Sequence, residues 1–334
     1  MEASSRTKRK PYSLTARDLN KFLGLNQAQL RQLTEKKADF SPANPGEPIP
    51  HEVVRTVLET LGVKYGPRVI SFINLKGGVG KTTTAITLAA RAVMYGFRVA
   101  LLDLDPQASA SVAFQREAQE GDLIFLDVWK KPEEMLTPAL AVIAPDFQLL
   151  PSSLENSLLD PALASPKLQK EAVRGVCSAL HAMGTDLILI DCPPSLGTAV
   201  VSSICASDTI VIPVQNDPFS MKGLELTLNE IESIRDAFGL DIPRTRVLFN
   251  RFDRRERITD TAWAEVQKRY PDFVHPVPIP TSTLYSKALE QSQTLFALSD
   301  NHPAKAASDS IFLWLCDIQS KALQKGAGRA AKRK

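Results

Sequence analysis

A short run rich in lysine and glycine, Lys76-Gly77-Gly78-Val79-Gly80-Lys81-Thr82-Thr83, constrains this chain more than any other segment. It follows an apolar, β-branched stretch at residues 69–73 and precedes a proline-free helical pattern at residues 84–94. A glycine loop between a strand and a helix can turn successive backbone N–H groups toward an anion, and the helix dipole adds positive potential there. The run therefore predicts a phosphate-binding loop, with Lys81 at the β- and γ-phosphates and the Thr82 hydroxyl on Mg²⁺.

The loop departs from the usual form of such motifs at its first position. The usual pattern has a glycine five residues before the Gly-Lys pair, whereas this chain has Leu75 there and a second lysine, Lys76, directly after it. This deviant Walker A form is typical of one branch of nucleotide hydrolases. Phosphate contacts are predicted for the whole loop: Lys76, Gly77, Gly78, Val79, Gly80, Lys81, Thr82 and Thr83.

Three acidic residues follow two further apolar runs. Asp103 and Asp105 end the run at residues 101–105, and Asp191 ends the run at residues 187–191, before a proline turn. A strand-end carboxylate beside a triphosphate can hold the water shell of Mg²⁺, and another can orient the water that attacks the γ-phosphate. The alternative is that these aspartates only end strands of an unrelated α/β fold and have no role in nucleotide binding. The order of the three motifs along the chain disfavours that alternative.

Strand-like and helical segments alternate from Arg68 onward. The strand-like runs are mostly continuously apolar, as expected for strands covered on both faces; they are residues 69–74, 98–103, 147–151, 187–191, 209–214, 247–252 and 277–280. Helical patterns lie between or after them, at residues 81–95, 167–183, 196–205, 222–237, 260–269, 283–291 and 304–323. Repeated βα units predict an α/β fold with a doubly wound, mainly parallel sheet of the P-loop type over residues 67–325.

The first 66 residues differ in character from the rest. Residues 15–23, 27–36 and 50–61 have the patterns of three short helices, and a proline-rich stretch at residues 41–48 separates the last two. These patterns predict a small all-α module over residues 1–66, bounded by Gly66-Pro67. A short basic tail occupies residues 326–334.

Composition excludes several other classes of protein. No run reaches the roughly 18 uninterrupted apolar residues of a membrane span, and the polar, basic start is unlike a secretory signal. The four cysteines have no metal-binding spacing, which favours ordinary thiols in a reducing cytoplasm. The net charge is only +3, but basic residues cluster at both ends of the sequence and favour a polyanionic partner.

The glycine loop and the two apolar runs that end in aspartates together resemble those of the ParA group of deviant Walker ATPases. Relatives of that group include MinD and the nitrogenase iron protein. The resemblance extends over about residues 68–323. It implies ATP and Mg²⁺ as cofactors and an ATP-dependent homodimer. Within that dimer, Lys76 is implied to reach the phosphates of the other subunit, Lys81 to bind its own, and Asp105 to position the attacking water.

The same resemblance implies roles for five further residues. Asp103 and Asp191 would support Mg²⁺ from the second coordination shell. Asn250 would read the adenine and Pro280 would close over the base. Asp217 stands near the position of a family glutamate that contacts nucleotide across the dimer, but it is one methylene shorter.

Features that are absent narrow the choice within this group. No cysteine falls between Asp105 and Cys177, which argues against a cluster-bearing iron protein, and the last residues are too small and polar for a membrane helix.

Basic residues are expected to bind DNA nonspecifically, and Arg255 is the closest match to a DNA-binding arginine of the family. The candidates are Arg251, Arg254, Arg255, Arg257, Lys332, Arg333 and Lys334. The alternative for these residues is a solvated loop and a disordered tail.

The N-terminal segment resembles, less specifically, the helix-turn-helix found ahead of plasmid-type ParA proteins. Asn26 is expected to cap a recognition helix that presents Gln29, Arg31 and Lys36 to a DNA groove. A dimerising or partner-docking module is the alternative.

The resemblance as a whole implies a cytoplasmic, nucleoid-associated partition ATPase that acts with a ParB-type partner, does not bind membranes, and can recognise operator DNA. Two alternatives stay open: a positioner of a protein cargo and an ATP-controlled transcriptional regulator.

Overall fold

The computed structural model describes residues 12–23, 26–38, 40–41, 44–60, 62–215, 220–241, 243–291, 294–298 and 302–318. The strands are β1 (Leu14–Thr15), β2 (Pro48–Ile49), β3 (Arg68–Phe72), β4 (Val99–Asp103), β5 (Ala141–Ala144), β6 (Phe147–Leu150), β7 (Leu187–Asp191), β8 (Thr209–Gln215) and β9 (Arg244–Asn250). The helices are α1 (Ala16–Leu23), α2 (Gln27–Ala38), α3 (His51–Thr60), α4 (Lys81–Met94), α5 (Ser109–Ala113), α6 (Phe125–Val128), α7 (Pro132–Ala139), α8 (Leu159–Ala162), α9 (Pro166–Ala182), α10 (Thr198–Ala206), α11 (Ser220–Phe238), α12 (Arg257–Arg269), α13 (Leu284–Glu290), α14 (Leu295–Leu298) and α15 (Pro303–Leu315), with a 3-10 helix at Leu154–Leu158.

Seven strands form one sheet in the order β5-β6-β4-β7-β3-β8-β9. All neighbours are parallel except β5, which runs antiparallel to β6 at the edge. Apolar side chains alternate between two buried cores: Leu101 of β4 packs on the face that carries α4 and α15, and Leu102 packs on the face that carries α9 and α10. The prediction of a mainly parallel α/β sheet is confirmed.

One sequence prediction about strands was wrong, and one strand was missed. Residues 277–280 form no strand; among the described residues they make one isolated bridge, between Pro280 and Phe252. Proline has no backbone N–H to donate to a ladder, and three prolines stand at positions 276, 278 and 280. The short edge strand β5 was not predicted from the sequence.

The N-terminal segment folds as three helices close to the predicted bounds, with a small β1–β2 ribbon that was not predicted. Asn26 caps α2: its Oδ1 accepts from the N–H of Gln29, and Gln29 Oε1 accepts from the N–H of Asn26. Leu19, Leu30 and Val54 are fully buried in the same core as α4. A helix-turn-helix assignment stays a prediction, because residues 24–25 of the connecting turn lie outside the described residues.

Helix α3 joins this segment to the sheet. Arg55 of α3 donates to both carboxylate oxygens of Asp186, at 2.6 and 3.2 Å, and to the carbonyl oxygen of Gly96, at 3.3 Å. Asp186 and Gly96 precede β7 and β4, so α3 lies where these strands begin, whereas the glycine loop follows the carboxyl end of β3. The N-terminal helices are therefore anchored at the opposite end of the sheet from the phosphate loop.

Candidate nucleotide-binding site

The glycine loop connects the end of β3 to the first residue of α4, as predicted. Gly78 and Gly80 have φ of 74° and 97°, which side-chain-bearing residues rarely adopt. A Cβ on Gly80 would also lie 2.6 Å from Nδ2 of Asn250. Backbone conformation and close packing thus both require glycine at position 80.

Lys81 is buried at the start of α4. Its Nζ donates to the carbonyl oxygens of Asn74 and Lys76, both at 3.1 Å. Burial lowers the pKa of Lys81, although the nearby carboxylate of Asp191 favours the charged form. A buried ammonium group at a helix N-terminus is a strong electrostatic site for phosphate.

The carboxylates of Asp103 and Asp191 come together because β4 and β7 pair in register, with these two residues opposite each other. Asp103 Oδ2 accepts from the backbone N–H and the hydroxyl of Ser111, at 2.9 and 2.8 Å. Burial raises the pKa of Asp103 to about 6. The pKa of Asp191 is raised well above its usual value, mainly by burial and secondly by the charge of Asp103.

Asp191 fits a role beside a cation. Neither of its buried carboxylate oxygens receives a hydrogen bond of normal geometry from the described residues. The Thr82 hydroxyl and the Lys81 charge partly offset the rise in its pKa, so both groups lie on its side of the loop. No group of three His, Cys, Asp or Glu side chains able to hold a metal occurs in the described part of the chain. The Thr82 hydroxyl and the two carboxylates are oxygen donors, which are the ligand type that Mg²⁺ prefers.

Asp105 stands two residues beyond Asp103 and lines the cavity above the loop. Its Oδ1 accepts from the N–H of Gln107 at 2.9 Å, and its backbone carbonyl accepts from the Ser152 hydroxyl at 2.7 Å. Only 8% of the residue is exposed. A carboxylate held this firmly can accept a hydrogen bond from a water molecule in the cavity.

The cavity has a volume of about 490 Å³ and runs from the glycine loop to α13 and α15. Asn250 and Pro280, both predicted to contact the base, line it together with the loop. Asn250 Nδ2 donates to the carbonyl of Val79 at 2.8 Å, and its buried Oδ1 has no partner among the described residues. An unpaired buried acceptor fits the amino group of an adenine.

The sequence has clear relatives. The family described as AAA domain matches residues 67–242. The sporulation initiation inhibitor protein Soj of Bacillus subtilis is 31% identical over 223 residues, which cover 66% of this chain and 87% of Soj. The chromosome partitioning protein ParA of Caulobacter vibrioides is 29% identical over 66% of this chain and 83% of that protein.

The chain belongs to the ParA family of ATPases. The cell division protein PomZ of Myxococcus xanthus is 25% identical to this ParA-family chain over 295 residues, which cover 88% of this chain and 89% of PomZ.

Solved structures share the fold of this ParA-family chain. The Cyanothece McdA(D38A)–ATP complex has a TM-score of 0.69 at 22% identity, over 77% of this chain and 99% of that one. A cobyrinic acid a,c-diamide synthase from Mycobacterium smegmatis, with a bound ATP analogue and magnesium, has a TM-score of 0.61 at 24% identity, over 73% and 92% of the two chains. Among the described residues of the ParA-family chain, no helix is both long enough and apolar enough to cross a bilayer.

The residues predicted to bind DNA in this ParA-family chain fall into three groups. Arg254, Arg255 and Arg257 are exposed in and after the loop that follows β9, and Arg255 is paired with both carboxylate oxygens of Asp253 at 2.9 and 2.6 Å. Arg251 differs: it has φ of 54° and lines the nucleotide cavity rather than a separate surface.

The other predicted contacts lie in the N-terminal helices and beyond the described residues. Gln29 and Arg31 are exposed on α2, but the Gln29 side chain also caps that helix. The Lys36 side chain, Asp217, and the tail with Lys332, Arg333 and Lys334 lie outside the described residues. Their roles stay predictions.

The sequence reasoning missed three residues that shape the site. Asn74 and Gln215 contact the loop from the ends of β3 and β8, and Ser111 holds Asp103. Asn74 was detectable as an amide placed directly between an apolar strand and the loop, but nothing in the sequence marked the long-range contact of Gln215.

Proposed function

We propose that this protein is a partition ATPase whose Mg-ATP-bound dimer binds nucleoid DNA and is released when a ParB-type partner stimulates hydrolysis. One observation carries the proposal. The glycine loop, the buried Lys81, the strand-end carboxylate of Asp105 and the base-end residues Asn250 and Pro280 all line one cavity of about 490 Å³.

Each residue then has a chemical task in converting ATP and water to ADP and phosphate. Lys81 and the N–H groups at the start of α4 bind the β- and γ-phosphates. Asp105 accepts a hydrogen bond from the attacking water and orients it toward the γ-phosphorus. Thr82, with Asp103 and Asp191 nearby, would hold Mg²⁺, which when bound would supply positive charge that offsets the phosphates and those carboxylates.

Lys76 acts in the dimer, where its ammonium group contacts the phosphates of the other subunit. ATP thereby becomes part of the contact between two copies of this chain. Hydrolysis removes the γ-phosphate and weakens that contact, so the chemistry serves as a timed switch. On this account the protein is cytoplasmic and nucleoid-associated.

A positioner of protein cargo is the second candidate, and the length of the PomZ match supports it, since 88% of this chain aligns with a cell division protein. In both candidates the ATP switch is the same and only the cargo differs. The N-terminal helices favour DNA cargo, with repression of the protein's own operon as an added role. A ParB-type gene beside centromere-like repeats would decide for partition.

Light scattering with two lysine variants tests the switch. With Mg-ATP the wild-type chain should double from its monomer mass of 36.6 kDa. Lys81→Ala should bind no ATP and stay monomeric, because the phosphates lose a charge-assisted contact. Lys76→Ala should bind one ATP per chain and stay monomeric. A Lys76→Ala protein that dimerises like wild type would overturn the cross-subunit role.

A further inference from the structure

Asn74 occupies the point where β3 turns into the glycine loop. It is 2% exposed. Strand β3 pairs with β8, and the last backbone bond between them runs from the N–H of Ile73 to the carbonyl of Val211 at 2.9 Å. The next carbonyl of β8 that faces β3 is that of Pro213. The chain has already left the sheet there, and Asn74 Nδ2 takes the place of the missing backbone donor at 2.7 Å from the Pro213 oxygen.

The other side-chain atom of Asn74 holds the loop. Its Oδ1 accepts from the backbone N–H of Lys76 at 2.9 Å, which closes a tight turn of the kind that asparagine favours. This turn directs the carbonyls of Asn74 and Lys76 at one point, where both accept from Lys81 Nζ at 3.1 Å. One buried amide therefore fixes the backbone at Lys76, whereas Lys81 is also held by its place as the first residue of α4.

The middle of the loop has separate supports. Gln215 donates to the carbonyl of Gly78, and Asn250 donates to the carbonyl of Val79. Holding these carbonyls from outside leaves the N–H groups to face an anion. Loss of the Asn74 side chain would consequently disturb the first residues of the loop, including Lys76, more than its phosphate-binding middle.

We propose that Asn74 is a positioning residue of the ATP switch, which holds the backbone of Lys76 in the conformation that lets this lysine engage the second subunit. The inference rests on the proposed function, because it assumes that Lys76 acts in the dimer. Asn74 is not among the residues that line the nucleotide cavity and acts through Lys76.

Asn74→Ala separates dimerisation from nucleotide binding. It removes the side-chain bond to Lys76, and one lost hydrogen bond corresponds to about a tenfold change in an equilibrium constant. We expect the protein concentration for half-maximal Mg-ATP-dependent dimerisation to rise about tenfold. The affinity of the monomer for a fluorescent ATP analogue should change less than about threefold, because the supports of Gly78 and Val79 remain.

Asn74→Ser is the matched control, because a serine hydroxyl can accept from the N–H two residues on and restore the turn, but is too short to reach Pro213. If Asn74 positions Lys76, the serine variant should dimerise nearly as wild type while its melting temperature still falls below that of wild type, because the bond to Pro213 is lost. Equal dimerisation defects in both variants would mean that Asn74 acts only through its bond to Pro213 at the end of the sheet, and would overturn the proposal. If Asn74→Ala does not fold, Asn74→Leu, of similar shape, replaces it.

A double-mutant cycle with Lys76→Ala completes the test. The cycle is measured at protein concentrations high enough for Lys76→Ala to form some dimer. Positioning through Lys76 then predicts that Asn74→Ala causes no further loss of dimerisation in the Lys76→Ala background, whereas additive losses would contradict it. If Lys76→Ala alone dimerises normally, the proposed function fails at its cross-subunit contact. If Lys76→Ala fails to dimerise but Asn74→Ala dimerises normally, only the role of Asn74 is wrong.

Discussion

At the scale of single residues, the site keeps carboxylates buried where water cannot stabilise their charge. Asp103 ionises only with difficulty, since burial raises its pKa to about 6 from an ordinary 3.8. The unfolded chain therefore loses this proton at lower pH than the folded chain, so Asp103 lowers the stability of the fold as pH rises from about 4 to 6, and the loss stays constant above. A site built to hold a cation has this property before the cation binds.

Asp103→Asn should stabilise the nucleotide-free protein at pH 7, by an amount on the order of 1–3 kcal/mol. The gain should be absent near pH 3, below both pKa values, grow between about pH 4 and 6, and level off above. Burial lowers the pKa of His275 to about 4, so this residue makes the fold more stable as pH rises. His275 is present in both the wild type and Asp103→Asn, so its effect cancels in the difference between them. Urea unfolding at several pH values measures this, and a gain that is equal at pH 4 and pH 7 would contradict it.

Gly80→Ala should abolish ATP binding while leaving a folded protein. Alanine at φ of 97° is strained by about 1–2 kcal/mol, and its Cβ would collide with Asn250. Asn250→Ala in the same chain should relieve the collision but not the strain, and it also removes the bond to Val79, so binding should recover at most to the level of Asn250→Ala alone. Titration with a fluorescent ATP analogue distinguishes these cases; wild-type affinity in the single variant would contradict the packing argument.

At the scale of elements, the phosphate-loop helix α4 is locked to α15 by a buried ion pair between Arg91 and Asp309. The Arg91 guanidinium also stacks on the rings of Tyr95 and Phe296, at 4.8 and 4.7 Å. A buried charge that loses its partner is costly, whereas an apolar pair of similar volume is often tolerated.

Asp309→Leu should consequently lower the free energy of unfolding by about 3–5 kcal/mol. The double variant Arg91→Met, Asp309→Leu should recover much of this loss, because no unpaired charge remains. Denaturant unfolding of the two single variants and the double variant gives the coupling. Additive losses would mean that the two side chains do not act as a pair.

The sequence predicted the elements that surround the site better than the contacts within it. Continuous apolar runs identified β3, β4, β7, β8 and β9 because strands buried on both faces need them. The run at residues 277–280 has the same apolar character, but its prolines limit it to one isolated bridge instead of a strand. Residues 109–113, 125–128, 132–139 and 159–162 form short helices that were not predicted, since one or two turns carry too little periodicity.

Sequence patterns did not predict contacts between segments that are distant in the chain. Arg251 belongs to a basic loop by sequence, yet its backbone conformation brings it to the nucleotide cavity. Asn250 was predicted for adenine on resemblance, but its Nδ2 also holds the phosphate loop. Such contacts depend on where β9 lies relative to β3, which only the folded sheet determines.

At the scale of the whole molecule, the two candidate DNA surfaces belong to different segments and should be separable. Phosphate contacts release counterions, so binding through them weakens steeply with salt whatever the base sequence. Contacts with base edges discriminate among sequences instead. Arg255 lies in the loop after β9 and is 88% exposed, whereas Arg31 lies on α2 of the N-terminal helices.

Arg255→Ala should weaken ATP-dependent binding to random DNA and lower the slope of its salt dependence by about one unit. Arg255→Lys keeps the charge and should retain most of that slope. Removal of residues 326–334 should act like Arg255→Ala. Arg31→Ala should spare random DNA but lose preference for the protein's own promoter. Gel-shift titrations at several salt concentrations measure both effects; equal losses on both DNAs in both variants would mean that the two surfaces form one site.

The central claim is that ATP hydrolysis times release from DNA, and retention on immobilised random DNA after an ATP pulse tests it most directly. Wild-type protein should bind with Mg-ATP and dissociate during a chase with ADP. Asp105→Ala should bind as well but persist through the chase, because the water is no longer oriented while the phosphate contacts remain. Lys81→Ala should never bind. If Asp105→Ala hydrolyses ATP and leaves the DNA at the wild-type rate, the account of this site as a hydrolytic switch is wrong.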